Sequence, residues 1–212
     1  MNQIQKKTLE GELKYKDTVI LTYKIEYPVI ISSPYVYGQE IFNMYNKNKV
    51  YQLESYCKGE LYKQARDLYV YNTEHGYPVM QFQVILETNI TLNQEGIVSV
   101  YQDQYTYTGG AHGTTLRSAQ TWTLPLGKRM TLKEFYPQDP DYVLEILREI
   151  TTQIQEQIQA GTGSYFDDYC QLVLDTFQLQ NFYVIPDKAV LFFQQYDIAP
   201  YSSGIPKFEV NR

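Results

Sequence analysis

The strongest constraint on this chain is the strict alternation of residues 80–92. Met80, Phe82, Val84, Leu86, Thr88, Ile90 and Leu92 fall on one side, and Gln81, Gln83, Ile85, Glu87, Asn89 and Thr91 on the other. A period of two predicts a half-buried strand. Asn93-Gln94-Glu95-Gly96 has turn chemistry, and residues 97–108 return with Val98 and Val100 on one face and Tyr101, Asp103, Tyr105 and Tyr107 on the other. Two such runs joined by a short glycine-bearing turn predict a long antiparallel hairpin. Its apolar face has to be covered by helix or by a second sheet.

The flanking chain offers helices for that purpose. Residues 36–68 place Phe42, Tyr45, Val50, Leu53, Cys57, Leu61, Ala65 and Leu68 on one stripe, with Gly59 as a weak point. Asp139-Pro140 reads as an N-cap followed by proline at the first helical position, and Val143, Ile146, Leu147, Ile150, Ile154 and Ile158 continue one face to Gly161. A shorter helix is expected from Tyr165, with Asp167 and Asp168 in its first turn. Strands are predicted before Lys16-Asp17, from Val19 to Pro28, over residues 115–126, and over 182–185, 190–196 and 207–210. Each half thus reads strands, helix, strands. The expectation is an α+β chain of two subdomains, residues 1–108 and 109–212, each an antiparallel sheet packed by helix.

Charge and composition narrow the function. The 24 acidic against 18 basic residues leave a net charge of −6, which argues against nucleic acid as a partner. No apolar run reaches the ~20 residues of a membrane span, and MNQIQKKTLEGELKY has no apolar export core. That start fits a cytoplasmic protein or one whose export segment was removed. Cys57 and Cys170 lie too far apart for a disulfide-stapled scaffold and are expected to be unpaired and at least partly buried.

Catalytic patterns are weak. His75, His112, Cys57 and Cys170 lack the short spacing of a structural zinc site, and no metal or cofactor is expected. Ser55-Tyr56-Cys57-Lys58 matches S-x-x-K as a string but has no companion motif, and it reads as solvated Ser and Lys beside a core Cys. Residues 109–113, GGAHG, precede a strand, so no helix N-terminus is available to hold a phosphate there. Asp139/Asp141 and Asp167/Asp168 are explained by helix starts. The unusual count is 22 Tyr, against 9 Phe and 1 Trp. Tyrosine offers broad amphipathic contact area, and it also fills cores and rims sheets. With no catalytic constellation in view, binding is the function class left standing.

Two segments sharpen this. Tyr107-Thr108-Gly109-Gly110-Ala111-His112-Gly113 is followed by Tyr196-Asp197-Ile198-Ala199-Pro200-Tyr201-Ser202-Ser203-Gly204. Together with Leu126-Gly127-Lys128 and Leu132-Lys133-Glu134-Phe135, they resemble the bacterial extracytoplasmic domain family of the lysozyme-sensing anti-sigma factor RsiV. Similar domains precede the catalytic domain of some secreted peptidoglycan deacetylases. The resemblance covers residues 105–210 well, and the first part of the chain looks like the partner domain that usually precedes it. It implies an extracytoplasmic, non-catalytic module that binds a basic protein such as lysozyme or a cell-wall component. This chain carries no sigma-binding segment, membrane helix or deacetylase motif. Two other readings are a soluble intracellular protein of the same fold and a hydrolase built around His112.

The expected binding residues are Tyr107, Gly109, Gly110 and His112 in the first motif, and Tyr196, Pro200 and Tyr201 in the second. The three glycines imply positive φ or close chain approach. Pro200 cannot donate to a ladder, so a loop is expected there. The tyrosines of the two loops are expected to contribute to one contact surface.

Overall fold

The chain opens as a ribbon of two long antiparallel strands, β1 (Gln3–Tyr15) and β2 (Thr18–Ser32), in a computed structural model that describes residues 2–211. Lys16, at φ 51°, makes the expected turn. Pro28 does not end β2 as the sequence suggested. The pairing of β2 with the next strand covers only Leu21–Ile25, so the missing proline N–H lies beyond it. Further along, the Asn43 side chain replaces a strand partner. Its Oδ1 accepts from the Ile30 N–H and its Nδ2 donates to the Ile30 carbonyl, both at 2.8 Å.

Helix α1 (Val36–Tyr56) passes through a π-helical turn, Cys57–Leu61, into α2 (Tyr62–Glu74). Gly59 sits in that wide turn, where the sequence placed a weak point. The helices carry the chain back to the end at which β2 began. The next strand, β3 (Phe82–Gln94), therefore pairs with β2 in parallel, a departure from the expected antiparallel pattern. β4 (Ile97–Tyr107) completes the hairpin, with Glu95 and Gly96 at φ 53° and 76° in its turn. β5 (Thr114–Thr123) and the two-residue β6 (Lys128–Arg129) follow. The pairing order is β1-β2-β3-β4-β5-β6.

The predicted second half is present with shifted boundaries. β5 stops at Thr123, because Leu124 N–H turns to the Gly96 carbonyl at 2.8 Å. α3 (Tyr142–Gln159) begins later than Asp139-Pro140 suggested. The Asp139 carboxylate accepts from Asp141 N–H at 2.8 Å and closes a turn ahead of the helix. α4 (Tyr169–Thr176) also begins later than Tyr165, since Phe166 N–H is tied to the Ile198 carbonyl at 3.1 Å. β7 (Phe182–Ile185), β8 (Lys188–Phe192) and β9 (Lys207–Asn211) form an antiparallel three-stranded sheet.

The chain is α+β in two compact units. Unit 1 comprises Met1–Thr88 and Gln102–Thr115, and unit 2 comprises Asn89–Tyr101 and Leu116–Arg212. Unit 1 buries Ile20, Leu21, Ile25, Val50, Cys57, Leu61, Ala65 and Val84. Its buried Gln102 donates to Thr88 Oγ1 at 3.0 Å, and Thr88 Oγ1 donates to the Glu26 carbonyl at 2.7 Å. Unit 2 buries Ile146, Ile150 and Ile154 of α3 against Val184, Leu191, Phe193, Phe208 and Val210. Each buried branched residue there contributes about 2 kcal/mol by area burial.

Candidate functional site

The first motif lies wholly in unit 1. Gly109 and Gly110 turn the chain out of β4 at φ 98° and 92°, where a side chain is strained. A Cβ on Gly109 would still have ordinary room, 3.6 Å from Leu68 Cδ2. Gly113 is needed for a different reason. A Cβ there would sit 2.5 Å from the Tyr105 ring and 2.7 Å from the Thr106 carbonyl oxygen. Tyr107 folds back over the turn, its hydroxyl donating to the Gly110 carbonyl at 3.0 Å and lying 3.8 Å from Met80 Sδ. His112 is exposed, with Nδ1 3.0 Å from the Gly113 carbonyl, a contact that requires the proton on Nδ1.

The second motif lies in unit 2 and is built the opposite way. Gln194 acts as a strand substitute after β8. Its side-chain amide accepts from Arg117 N–H at 2.9 Å and donates to the Arg117 carbonyl at 2.8 Å. Asp197 then closes a turn, its Oδ2 accepting from Gln194 N–H at 2.7 Å and its own N–H donating to the Gln194 carbonyl at 3.1 Å. Burial pushes the Asp197 carboxyl above the ordinary aspartate value, and the Gln194 N–H pulls the other way. Tyr196 sits inside this turn at φ 68°, a left-handed conformation rare for an aromatic residue, with 53% of its surface exposed. Ile198 and Ala199 are buried and anchor the loop. Pro200 leads into a 3-10 turn, Tyr201–Ser203, which ends at Gly204 with φ 67°. Ser203 Oγ ties that turn to the Ser164 carbonyl at 2.9 Å. The exposed Tyr196 ring meets the half-buried Tyr201 ring, centroids 5.8 Å apart.

The structure thus gathers Tyr107, Gly109 and Gly110 in one turn and pairs Tyr196 with Tyr201 in another. Lys58 of the S-x-x-K string is engaged by Glu54 at 2.6 Å, and Glu54 also accepts from the Tyr23 hydroxyl at 3.0 Å. Lys58 foremost holds the Glu54 carboxyl below its usual value. Both cysteines are unpaired, but only Cys57 is buried. Burial pushes its thiol up to about 11. Cys170 is exposed because the inward stripe of α4 runs through Tyr169, Leu172 and Val173 instead.

Sequence reading missed two features. In unit 1 the exposed Tyr71 stacks on His75 with centroids 4.3 Å apart, and Tyr77 extends the stack at 6.2 Å from each. The i,i+4 spacing of Tyr71 and His75 was the available signal. In unit 2 a cavity of about 500 Å³ is walled by residues from β5, β6, the 3-10 turn after it, α3 and β7. Its apolar wall joins sequence-distant Met130, Leu132, Tyr142, Leu179 and Phe182, so no local pattern marked it. Among the described residues no three His, Cys, Asp or Glu side chains gather as a metal site. No helix among them is long and apolar enough to cross a membrane.

Comparison with known proteins places names on the two parts of the chain. Residues 14–115 match the family described as Deacetylase PdaC, and residues 133–212 match the Protein of unknown function family DUF3298. These matches support the PdaC and DUF3298 families. A DUF3298 family member from Bacteroides fragilis NCTC 9343 superposes with a TM-score of 0.68 at 16% identity, over 99% of this chain and 90% of that one. A DUF3298 family protein from Pseudomonas aeruginosa PAO1 gives 0.59 at 16% identity, over 99% and 91%. At that identity the likeness establishes the fold of the PdaC-like and DUF3298-like segments. No curated protein matches the chain.

Proposed function

We propose that this chain is a non-catalytic binding module for a protein or cell-wall ligand, as its resemblance to the lysozyme-sensing anti-sigma ectodomain implies. The observation that carries this reading is Tyr196. A strained backbone persists only where its surroundings over-determine it, and such strain concentrates at binding sites. Here the Gln194–Asp197 turn imposes that strain on an exposed aromatic side chain. The buried Ile198-Ala199 anchor keeps Tyr196 and Tyr201 in place, so little conformational entropy is lost when a partner docks. Tyrosine suits such a surface because it brings large area with few rotamers. With a net charge of −6, a basic partner associates faster as salt falls.

The test is titration calorimetry against lysozyme and against soluble peptidoglycan fragments, each at low and high salt. Binding of one of them that weakens at least tenfold in Tyr196→Ala or Tyr201→Ala, with an unchanged melting temperature, supports the proposal. Silence with both ligands at low salt overturns it.

A further inference from the structure

The 500 Å³ cavity of unit 2 lies apart from the motif loop in sequence and has its own chemistry. Acidic residues outnumber basic ones 24 to 18 in the chain, yet the cavity wall holds Arg129 and Lys133 and no carboxylate. The sequence-adjacent acid, Glu134, does not line it. Glu134 accepts from Lys128 Nζ at 2.8 Å and from Thr131 N–H at 2.8 Å. Lys133 is positioned by neutral partners: its Nζ stands 4.8 Å from the centre of the Tyr142 ring and donates to the Tyr136 carbonyl at 3.1 Å and to the Asp139 carbonyl. None of these contacts is with a carboxylate, so the ammonium keeps its positive charge at the rim of a partly apolar space. Arg129 reaches the Ala119 carbonyl at 3.4 Å on the β5 side of the cavity. The apolar part of the wall includes Leu132, which is buried, Phe182 and the 47% exposed Leu179.

We infer that this cavity binds a small single-chain molecule with an apolar body and one anionic head. An apolar wall with a few convergent polar groups is the usual make-up of a small-molecule site, and typical volumes run from about 300 to 1,000 Å³. The body lies along Leu132, Leu179 and Phe182. The head takes charge-assisted hydrogen bonds from Arg129, in the field of Lys133. The volume suits one short chain and excludes a two-chain lipid held with both tails inside.

The probe is decanoate, titrated into the full chain by calorimetry and by NMR shift mapping, with decanol and decyltrimethylammonium as neutral and cationic counterparts. Decanoate is expected to bind at least tenfold tighter than either, and to weaken as salt rises. Arg129→Gln is expected to cost at least tenfold, the loss of charge-assisted hydrogen bonding to the head. Leu179→Glu, at an exposed wall position that tolerates a polar side chain, is expected to abolish decanoate binding while leaving lysozyme or peptidoglycan binding unchanged. The inference is overturned if wild type does not take up decanoate, if the cationic analogue binds equally well, or if Leu179→Glu binds as wild type. A melting curve for each variant identifies one that has failed to fold, and Leu179→Glu decides the matter if Arg129→Gln does so.

Discussion

The two motif loops place aromatic side chains on opposite terms. In unit 1 the 107–113 turn spends its tyrosine internally, on the Gly110 carbonyl, and its glycines answer to backbone geometry. In unit 2 the 194–204 loop spends polar atoms and buried Ile198-Ala199 on holding itself still, and keeps Tyr196 outside. The cysteines divide the same way, with Cys57 buried in unit 1 and Cys170 exposed in unit 2. The lesson is that a motif rich in Gly, His and Tyr can be architecture, whereas a strained exposed aromatic on a rigid anchor carries a stronger indication of contact.

The cysteines give the largest contrast to break. In native protein Cys170 should react with a thiol reagent more than about a hundredfold faster than Cys57, because a thiol pushed to about 11 forms little thiolate and is also enclosed. Two thiols with equal native rates would erase that difference between the units. Next, Ile198→Ala should destabilise unit 2 by about 3 kcal/mol, the cost of deleting a fully buried branched side chain. Urea denaturation measures it, and a loss under about 1 kcal/mol would show that the loop is not anchored there.

Gly113→Ala should cost about 2 kcal/mol by overpacking, since its Cβ meets a ring and a backbone oxygen. Gly110→Ala has open space and pays only for its φ of 92°, about 1 kcal/mol. Equal losses would mean that packing contributes nothing at Gly113. Tyr196→Gly should relieve left-handed strain and move stability by less than about 1 kcal/mol, even as it removes binding. A large destabilisation instead would make Tyr196 structural, like Tyr107.

The smallest effect belongs to Asp197→Asn. The carboxyl is raised in the folded state, so the native chain binds more protons, and this group's contribution falls as pH rises through its folded value. Asparagine keeps an oxygen for Gln194 N–H and drops the charge. A slight gain in stability at neutral pH should therefore shrink toward zero as pH falls below the ordinary aspartate range. A loss at neutral pH would mean that the Gln194 hydrogen bond needs the charge more than burial penalises it.

The sequence alone determined the hairpin, the helix faces and the α+β class, because alternation and 3.6-residue periodicity are local consequences of which side is buried. It also located both motif loops, since Gly and Pro act on their own backbone. Boundaries were less legible. Asp139 closed a turn ahead of α3, Phe166 gave its N–H to Ile198, and pairing with β1 carried β2 past Pro28 to Ser32. Each of these shifts depends on where a hydrogen-bond partner sits in space. The parallel β2–β3 pair, the inward turn of Tyr107, the exposure of Cys170 and the cationic wall of the unit 2 cavity were decided only by tertiary structure. Chain direction, side-chain burial and local field depend on residues distant in sequence, and no window of neighbouring residues contains them.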